Sequence, residues 1–275
     1  MGDDAFRDLP EGYVEVARGG WRVAVREDFA AAFDSDSMAN PERLAASGQA
    51  VFRGRGRPSR VALPDGAPGV LRGYRHGGMF RALTGRRFTG TPRPLVELVA
   101  TERARAGGVR APEILAAYVR RVTLVCHVGY LLTREIPGAV DLMTLIESGM
   151  ATRGVFRRLG AETARMHAAG VRHADLHVKN VLVTGGEVTI IDFDRARVFD
   201  EVPREDRVGN LLRFDRSVVK LGRKGVRVPM KDRLRFFHGY RTEPVTRRER
   251  ADVIRRCERS LSVHRKGWAI FGTGH

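Results

Sequence analysis

The chain reads His173-Ala174-Asp175-Leu176-His177-Val178-Lys179-Asn180 and, after two short apolar runs, Ile190-Ile191-Asp192-Phe193-Asp194. The runs, 181–183 and 187–191, are rich in β-branched residues, and the Gly-Gly pair between them is a hairpin turn signal. A hairpin that turns there places Asn180 opposite Ile191. Asp192 is then expected beside Asn180, with Asp175 on the loop just before the first strand.

Three oxygen-bearing side chains, those of Asp175, Asn180 and Asp192, are therefore expected to converge at one end of a short hairpin. Hard oxygen ligands suit Mg²⁺, which usually binds through one or two protein groups plus substrate phosphates. The pattern predicts a site for a nucleoside triphosphate and metal ions. The alternative is an ordinary hairpin whose polar ends happen to be Asp and Asn, but turn chemistry explains only the two glycines.

This arrangement resembles the catalytic loop and the metal-binding loop of the protein-kinase-like superfamily. In that superfamily an Asp faces the acceptor hydroxyl, an Asn five residues on holds a metal, and an Asp before Phe holds the metals against the phosphates. The resemblance implies that Asp175 is catalytic, that Asn180 and Asp192 are metal ligands, and that the cofactors are ATP and Mg²⁺. Asp194 stands where protein kinases have Gly, which points away from that particular group.

The composition favours a soluble cytoplasmic protein with anionic partners. The 275 residues carry a formal net charge of +17, which favours nucleotides, acidic membrane surfaces, phosphorylated glycolipids or nucleic acid, although a solvated basic surface also explains it. Nucleic acid is not expected, because the sequence has no recognised motif for it.

There is no run of about 18 apolar residues, and the acidic start lacks the apolar region of a secretory signal. Cys126 and Cys257 have no motif spacing, so neither a disulfide nor a zinc site is predicted.

No lysine precedes Lys179, and this bears directly on the phosphate site. A small lobe of the kinase type normally supplies a strand Lys to the nucleotide phosphates. Either the chain is inactive or an Arg replaces that Lys, and Arg72 is the candidate because the Val and Leu before it read as a strand. Upstream, Gly54 and Gly56 would let backbone N–H groups approach phosphate, although the same spacing also fits a plain hairpin.

A helix is predicted from Leu95 to Arg105, opened by prolines and closed by a pair of glycines. Glu97 and Glu102 lie on it. In kinase-like folds a helix glutamate pairs with the phosphate-binding base. Glu97, early on the helix, is the first candidate for this role and Glu102 the second, while the alternative for each is a solvated side chain.

The resemblance implies an α+β, two-lobed protein-kinase-like fold. Its small β-rich lobe spans residues 1–134, and its larger, mostly helical lobe spans residues 135–275. Strands at 13–16 and 21–26, with a helical piece near 29–33, extend the small lobe.

The stretch Ile136-Pro137-Gly138 breaks a strand and suits the hinge between the two lobes. Beyond it, apolar and small residues at helical spacing predict a buried helix over 155–169 that leads into the catalytic loop. His167 and His173 are interpreted as packing and hydrogen-bonding residues rather than as metal ligands or proton carriers.

Five segments follow one another along the chain: Val70-Leu71-Arg72-x-Tyr74-Arg75-x-Gly77-Gly78, Arg93-Pro94-Leu95-x-Glu97, Ile136-Pro137-Gly138-Ala139, the catalytic and metal loops, and Asn210-Leu211-x-Arg213-x-x-Arg216-Ser217. In this order they resemble bacterial lipopolysaccharide-core kinases, above all the 3-deoxy-D-manno-octulosonic acid (Kdo) kinase branch. The similarity covers residues 50–222. Because an Arg at the strand position is familiar in that branch, the missing Lys no longer argues for an inactive enzyme.

The resemblance implies ATP-dependent transfer of the γ-phosphoryl group to a hydroxyl of Kdo, or of another core sugar, on a lipid A precursor. Asp175 would orient the hydroxyl and accept its proton, while Arg72, held by Glu97, would position the phosphates. Two alternatives stay open. One is a kinase of the same fold with another acceptor, such as a protein side chain or an aminoglycoside; the other is a noncatalytic module, against which the complete set of Asp175, Asn180 and Asp192 argues.

A Kdo-lipid acceptor lies on the cytoplasmic face of the inner membrane, which is anionic. The segments 233–240 and 264–271 mix basic and aromatic residues, and such segments can rest in a headgroup layer. The alternative is that Phe236, Phe237 and Trp268 pack the large lobe beneath a basic face. The sequence predicts a cytoplasmic protein that can lie peripherally on that membrane face.

Overall fold

The structure is a computed structural model that describes residues 4–34, 36–50, 58–74, 88–123, 126–150, 153–222, 225–226, 228–240 and 255. The chain forms two compact units. The first, here called the β-rich unit, consists of Met1–Arg103, Ala111–Pro137 and Phe193–Ala196. The second, the helical unit, consists of Ala104–Arg110, Gly138–Asp192 and Arg197–His275. The division into 1–134 and 135–275 stays a prediction.

The β-rich unit is built on one antiparallel sheet. Its strands are β1 (Tyr13–Arg18), β2 (Trp21–Arg26), β3 (Gln49–Ala50), β4 (Ser59–Ala62), β5 (Pro68–Gly73), β6 (Phe88–Thr89), β7 (Ile114–Arg121) and β8 (Cys126–Arg134). The strand order is β1-β2-β7-β8-β5-β4-β3, and β6 also pairs with β8. The strands predicted at 13–16 and 21–26 are therefore confirmed. The helical piece predicted near 29–33 is a 3-10 segment, Glu27–Asp34.

Both faces of this sheet are covered, because successive side chains of a strand point to opposite faces. On one face Val23 and Val25 pack in a cluster that includes Phe29 and Leu44. On the other face Ala24 belongs to a cluster that includes the strand residue Ile114 and the helix residues Leu95 and Leu98.

Three α-helices accompany the sheet in the part of the β-rich unit that the structure describes. They are α1 (Asp36–Ala39), α2 (Pro41–Ser47) and α3 (Arg93–Ala106). Asn40 begins α2 by accepting hydrogen bonds from the backbone N–H groups of Glu42 and Arg43 at 3.0 and 3.1 Å, as N-cap residues do. The helix predicted from Leu95 to Arg105 is confirmed as α3, which carries Glu97 towards the strand residue Arg72.

The helical unit contains short strands beside longer helices. These elements are β9 (Val140–Asp141), α4 (Leu142–Glu147), α5 (Arg153–Ala168), β10 (Val171–Arg172), β11 (Val181–Thr184), β12 (Glu187–Ile190), β13 (Arg197–Val198), α6 (Arg204–Gly222) and α7 (Met230–Gly239). Strands β12, β11 and β9 form one small sheet, and β10 pairs with β13. The predicted buried helix over 155–169 is α5.

The hairpin of β11 and β12 has the predicted register. Val181 pairs with Ile190, and the backbone N–H of Ile191 donates to the carbonyl of Asn180 at 3.0 Å. Gly185 and Gly186 have φ angles of 57° and 84°. Two consecutive positive φ angles are what a tight two-residue hairpin turn of this hand requires, and glycine adopts them at no steric cost.

Helix α7 packs against α5 and α6 through its aromatic and charged residues. The rings of Phe236 and Phe214 lie 4.4 Å apart between centroids, and both residues are buried. The guanidinium of Arg233 donates two hydrogen bonds of 2.7 Å to the buried carboxylate of Asp215. Phe236 therefore packs inside the unit, as one of the two sequence interpretations proposed, whereas Trp268 lies outside the described residues.

Within the described ranges, none of the helices combines the length and the apolar character that crossing a bilayer requires.

Candidate active site

The predicted catalytic loop, residues 173–180, is held in place by the buried side chain of its first residue, His173. The backbone N–H of Asp175 donates to Nδ1 of His173 at 3.0 Å, and Nε2 of the same ring donates to the carbonyl of Ile191 at 3.0 Å. A single neutral tautomer, protonated on Nε2, satisfies both bonds. Burial lowers the pKa of His173, while the charges of Asp192 and Asp175 act in the opposite direction. This one imidazole thus joins the loop that carries Asp175 to the strand end that precedes Asp192.

The side chain of Asn210, on α6, holds the backbone of the same histidine through two hydrogen bonds. Its Nδ2 donates to the carbonyl of His173 at 2.6 Å, and its Oδ1 accepts from the N–H of His173 at 3.1 Å. The Oδ1 atom also lies 3.1 Å from Nε2 of His167, whose Nδ1 lies 2.7 Å from the Tyr240 hydroxyl. The interpretation of His167 and His173 as packing and hydrogen-bonding residues is therefore confirmed.

This buried network makes a pH-dependent contribution to stability. Burial lowers the pKa of His167 to about 4. The unfolded chain therefore binds the proton more readily, so the contribution is complete above about pH 6.5 and is lost as the pH falls towards 4. Between pH 6.5 and pH 4, we expect the free energy of unfolding to fall less in His167→Gln than in the wild type. The difference between the two falls is about 3 kcal/mol at most. Urea unfolding at a series of pH values measures it; an unchanged slope in His167→Gln contradicts the assignment, and the exposed His238→Gln is the control.

The turn after the catalytic loop positions Asn180. Its Nδ2 donates to the backbone carbonyl of Asp175 at 3.0 Å, and its N–H donates to the carbonyl of His177 at 2.9 Å. Ser217 of α6 accepts from the N–H of Val178 at 3.3 Å. The amide nitrogen of Asn180 is thus committed to the loop, and its Oδ1 is an oxygen of the kind that binds Mg²⁺.

Asp192 follows β12 with φ of 66°, and Arg195 has φ of 60°. Left-handed backbone at a residue other than glycine costs about 1–3 kcal/mol and is found preferentially at functional sites. Asp192 directly follows Ile191, whose backbone N–H donates to the carbonyl of Asn180. The backbone of Asp192 therefore lies beside Asn180, as the sequence predicted.

The donor set fits a metal that is shared with a substrate. Among the described residues no group of three or more His, Cys, Asp or Glu side chains could enclose a cation. Asn180 and Asp192 offer one amide oxygen and one carboxylate. Such a small set of hard oxygens suits Mg²⁺, which keeps several waters and takes its other ligands from phosphates.

Asp175 is half-exposed, with 46% of its side chain accessible. Nε and Nη2 of Arg213 lie 2.8 and 2.7 Å from its Oδ1, and Nε2 of His177 lies 3.5 Å from its Oδ2. The His177 imidazole and the Arg213 guanidinium hold the pKa of Asp175 well below its usual range, against the opposing effect of partial burial. The carboxylate is therefore ionised at neutral pH and can accept a hydrogen bond from an approaching hydroxyl.

In the β-rich unit, Arg72 of β5 pairs with Glu97 of α3. Nη2 of Arg72 lies 2.6 Å from Oε1 of Glu97 and also contacts Oε2, which accepts a hydrogen bond from the Tyr74 hydroxyl. The Glu97 side chain is 4% exposed. A buried carboxylate of this kind persists only when it is paired and hydrogen-bonded. Glu102, the second candidate for this pairing, instead accepts from the Tyr13 hydroxyl at 3.1 Å.

A second ion pair connects the same helix to the segment after Asp192. Nε of Arg93 donates to Oδ1 of Asp194 at 2.7 Å. The guanidinium carbons of Arg72 and Arg93 lie 4.9 and 5.2 Å from the centroid of the Tyr74 ring. Asp194, which replaces the Gly of protein kinases, thus has a defined partner at the start of α3.

Gly54 and Gly56 lie outside the described residues. The strands before and after them, β3 and β4, are antiparallel neighbours in which Gln49 pairs with Arg60.

The functional candidates that sequence reasoning missed are Tyr74, Asn210 and Arg213. Each lies in a segment whose similarity to core kinases was recognised, but residue type and spacing give no role to any of them. Their partners, Glu97, His173 and Asp175, are remote along the chain.

Comparison with known proteins identifies the family. The lipopolysaccharide kinase (Kdo/WaaP) family matches residues 43–240. A protein named 3-deoxy-D-manno-octulosonic acid kinase, from Vibrio cholerae serotype O1, is 34% identical over 194 residues, which cover 68% of this chain and 81% of the relative. The chain belongs to the lipopolysaccharide kinase family. It is accordingly a phosphotransferase of the kinase class, and this membership implies ATP as the phosphate donor.

Other matches agree with this assignment. A protein of the same name from Vibrio vulnificus is 34% identical over 147 residues, which cover 52% of this chain and 61% of that relative. Among solved structures, one titled "WaaP in complex with acyl carrier protein" has a TM-score of 0.61 at 20% identity and covers 88% of this chain and 98% of that chain. The predicted kinase-like fold is thereby confirmed.

Proposed function

We propose that the protein transfers the γ-phosphoryl group of ATP, with Mg²⁺, to a hydroxyl of Kdo on a lipid A precursor. The observation that carries the proposal is the arrangement of Asp175, Asn180 and Asp192 around the buried His173, in a chain whose relatives are named for this sugar. The net charge of +17 suits an anionic glycolipid acceptor and the anionic cytoplasmic face of the inner membrane, where we place the protein as a peripheral enzyme.

Each side chain has a defined task in this proposal. Asp175 orients the acceptor hydroxyl and takes its proton as the phosphoryl group is transferred. Its low pKa makes it a weak base, which is adequate because a loose transition state depends on orientation more than on early proton removal. Asn180 and Asp192 would hold Mg²⁺, which supplies positive charge against the phosphates when bound.

Arg72 is the proposed phosphate contact that replaces the strand Lys of protein kinases. Glu97 fixes one end of its guanidinium, and the Tyr74 hydroxyl shares that carboxylate. Gly54 and Gly56 are proposed to lie near the phosphates as well, through backbone N–H groups.

Arg72→Lys is expected to lower kcat/KM by about 10- to 100-fold, because Lys keeps the charge but loses the planar fork that can engage Glu97 and a phosphate together. Steady-state kinetics with varied ATP measure the effect, and the KM for ATP should rise. Arg60→Lys is a matched control, since Arg60 also pairs with a glutamate, Glu135, but lies on the neighbouring strand β4 and does not contact Glu97. Unchanged kinetics in Arg72→Lys would remove Arg72 from the site.

The function itself is tested by transfer of labelled phosphate from ATP to a panel of acceptors. The panel contains a Kdo-bearing lipid A precursor, casein and an aminoglycoside. Label on the glycolipid alone supports the proposal, whereas label on casein or the aminoglycoside alone assigns the chain to another acceptor class.

A further inference from the structure

Arg213 of α6 lies beside the proposed catalytic carboxylate of Asp175, and its side chain stays exposed to solvent. Nε and Nη2 both approach the same oxygen, Oδ1 of Asp175, at 2.8 and 2.7 Å. The side chains of Arg213 and Asp175 are 48% and 46% exposed. Within the described part of the chain, Nη1 of Arg213 has no hydrogen bond or ion pair, so the guanidinium still presents donors to solvent.

A second ion pair that involves α6 is buried, in contrast to the exposed pair of Arg213 and Asp175. Asp215 and Arg233 meet through two parallel hydrogen bonds of 2.7 Å, and their side chains are 3% and 16% exposed. That pair joins two helices in the interior. An exposed pair such as Arg213 with Asp175 contributes little to stability, typically about 0–1 kcal/mol, so stability alone does not account for an arginine at this position.

The acceptor must come close to Arg213. A hydroxyl that receives help from Asp175 has to lie about 2.6–3.2 Å from one of its oxygens. Oδ1 already contacts Arg213, so a charged group on the same sugar as that hydroxyl, a few bonds away, can reach the exposed guanidinium.

The surroundings on this helix face are basic. Arg216 and Lys220 follow Arg213 at spacings of three and seven residues and so share its face, and both are at least partly exposed. The helix also carries three acidic residues: Asp215 is buried, Asp206 pairs with Arg172 at 2.9 Å, and the exposed Glu205 lies in the first turn, two turns before Arg213. An anionic group is therefore attracted to this face beside Asp175.

We propose that Arg213 is the contact for the acceptor's own carboxylate, which lies on the same sugar as the hydroxyl that is phosphorylated. This inference rests on the proposed function, because it takes the acceptor to be an acidic sugar. Arginine suits the task, since its planar fork binds carboxylates through charge-assisted hydrogen bonds while its other edge holds Asp175 in place. In this account Arg213 selects acidic sugars over neutral ones of the same shape.

The test compares a Kdo-bearing glycolipid with its analogue in which the Kdo carboxylate is converted to the carboxamide. The enzymes are the wild type, Arg213→Gln, Arg213→Lys and the control Arg158→Gln. Arg158 matches Arg213 in side-chain exposure, 48%, and pairs with Glu187 on the hairpin at 3.6 Å. Taking the ratio of kcat/KM for the two acceptors cancels any effect of Arg213 on Asp175, because that effect is common to both.

We expect the wild type and Arg158→Gln to prefer the carboxylate by about 10- to 100-fold, the size of one charge-assisted hydrogen bond. In Arg213→Gln the preference should fall below about threefold, and Arg213→Lys should restore part of it. Equal losses on both acceptors in Arg213→Gln would overturn the carboxylate contact while leaving the proposed function in place. Failure of the wild type to phosphorylate either acceptor would overturn the proposed function, and this contact with it.

Discussion

Asp175→Ala is expected to lower kcat by about 10³-fold, within the range by which a positioned acid–base group accelerates a reaction. The fold should persist, because Asp175 is half-exposed and its removal takes a partner only from the side chains of Arg213 and His177, which are themselves partly exposed. His173, which the loop N–H contacts, keeps its bonds to Ile191 and Asn210. Turnover of the glycolipid acceptor at saturating ATP measures the effect.

Asp65→Ala is the matched control for this variant. Asp65 has the same side-chain exposure, 46%, and pairs with Arg134 at 2.7 Å in the β-rich unit. Its pKa is lowered by a hydrogen bond from Arg134, as arginine also helps to lower that of Asp175. Loss of turnover in both variants would indicate general damage from deleting an exposed acid, and near-normal turnover in Asp175→Ala would remove this residue from catalysis.

Asp192→Asn is expected to lower kcat by about 10²- to 10³-fold and to raise the Mg²⁺ concentration needed for half-maximal rate. Asn keeps the size of the side chain and tolerates the left-handed backbone at φ of 66°, so the change removes mainly the charge. A titration of the rate with Mg²⁺ measures both effects. Asp200→Asn, at an exposed acid after β13, should leave the titration unchanged.

Unchanged Mg²⁺ dependence in Asp192→Asn would contradict its role as a ligand. Asp192→Ala is expected to be less stable than Asp192→Asn, because alanine adopts positive φ less readily than asparagine.

The parts of the site that the sequence predicted depend on local rules. Gly185-Gly186 specifies the hairpin, and the hairpin register then determines that Asn180 lies opposite Ile191. The pairing of Arg72 with Glu97 was implied by the resemblance to kinase-like folds, and the absence of a lysine before Lys179 selected Arg72 as the base. The first prediction needed only the geometry of one hairpin, whereas the second needed the family pattern as well.

The parts that the sequence did not predict depend on contacts between remote segments. Asn210 is 37 residues from His173, yet three of its bonds hold the catalytic loop and His167. Polar residues on a helix give no indication of which loop they will meet. Strand β7 does not stand out in the sequence either, because six consecutive residues from Ile114 are buried and the alternation that marks a one-sided strand is absent.

The most direct test of the proposed acceptor is mass spectrometry of the glycolipid after incubation with the wild type, ATP and Mg²⁺. We expect one added phosphate, carried by the fragment that contains the Kdo sugar, and no addition when Asp175→Ala replaces the wild type. A glycolipid that stays unchanged while the folded protein binds ATP, or a phosphate carried by the lipid A fragment, would contradict the assignment of Kdo as the acceptor.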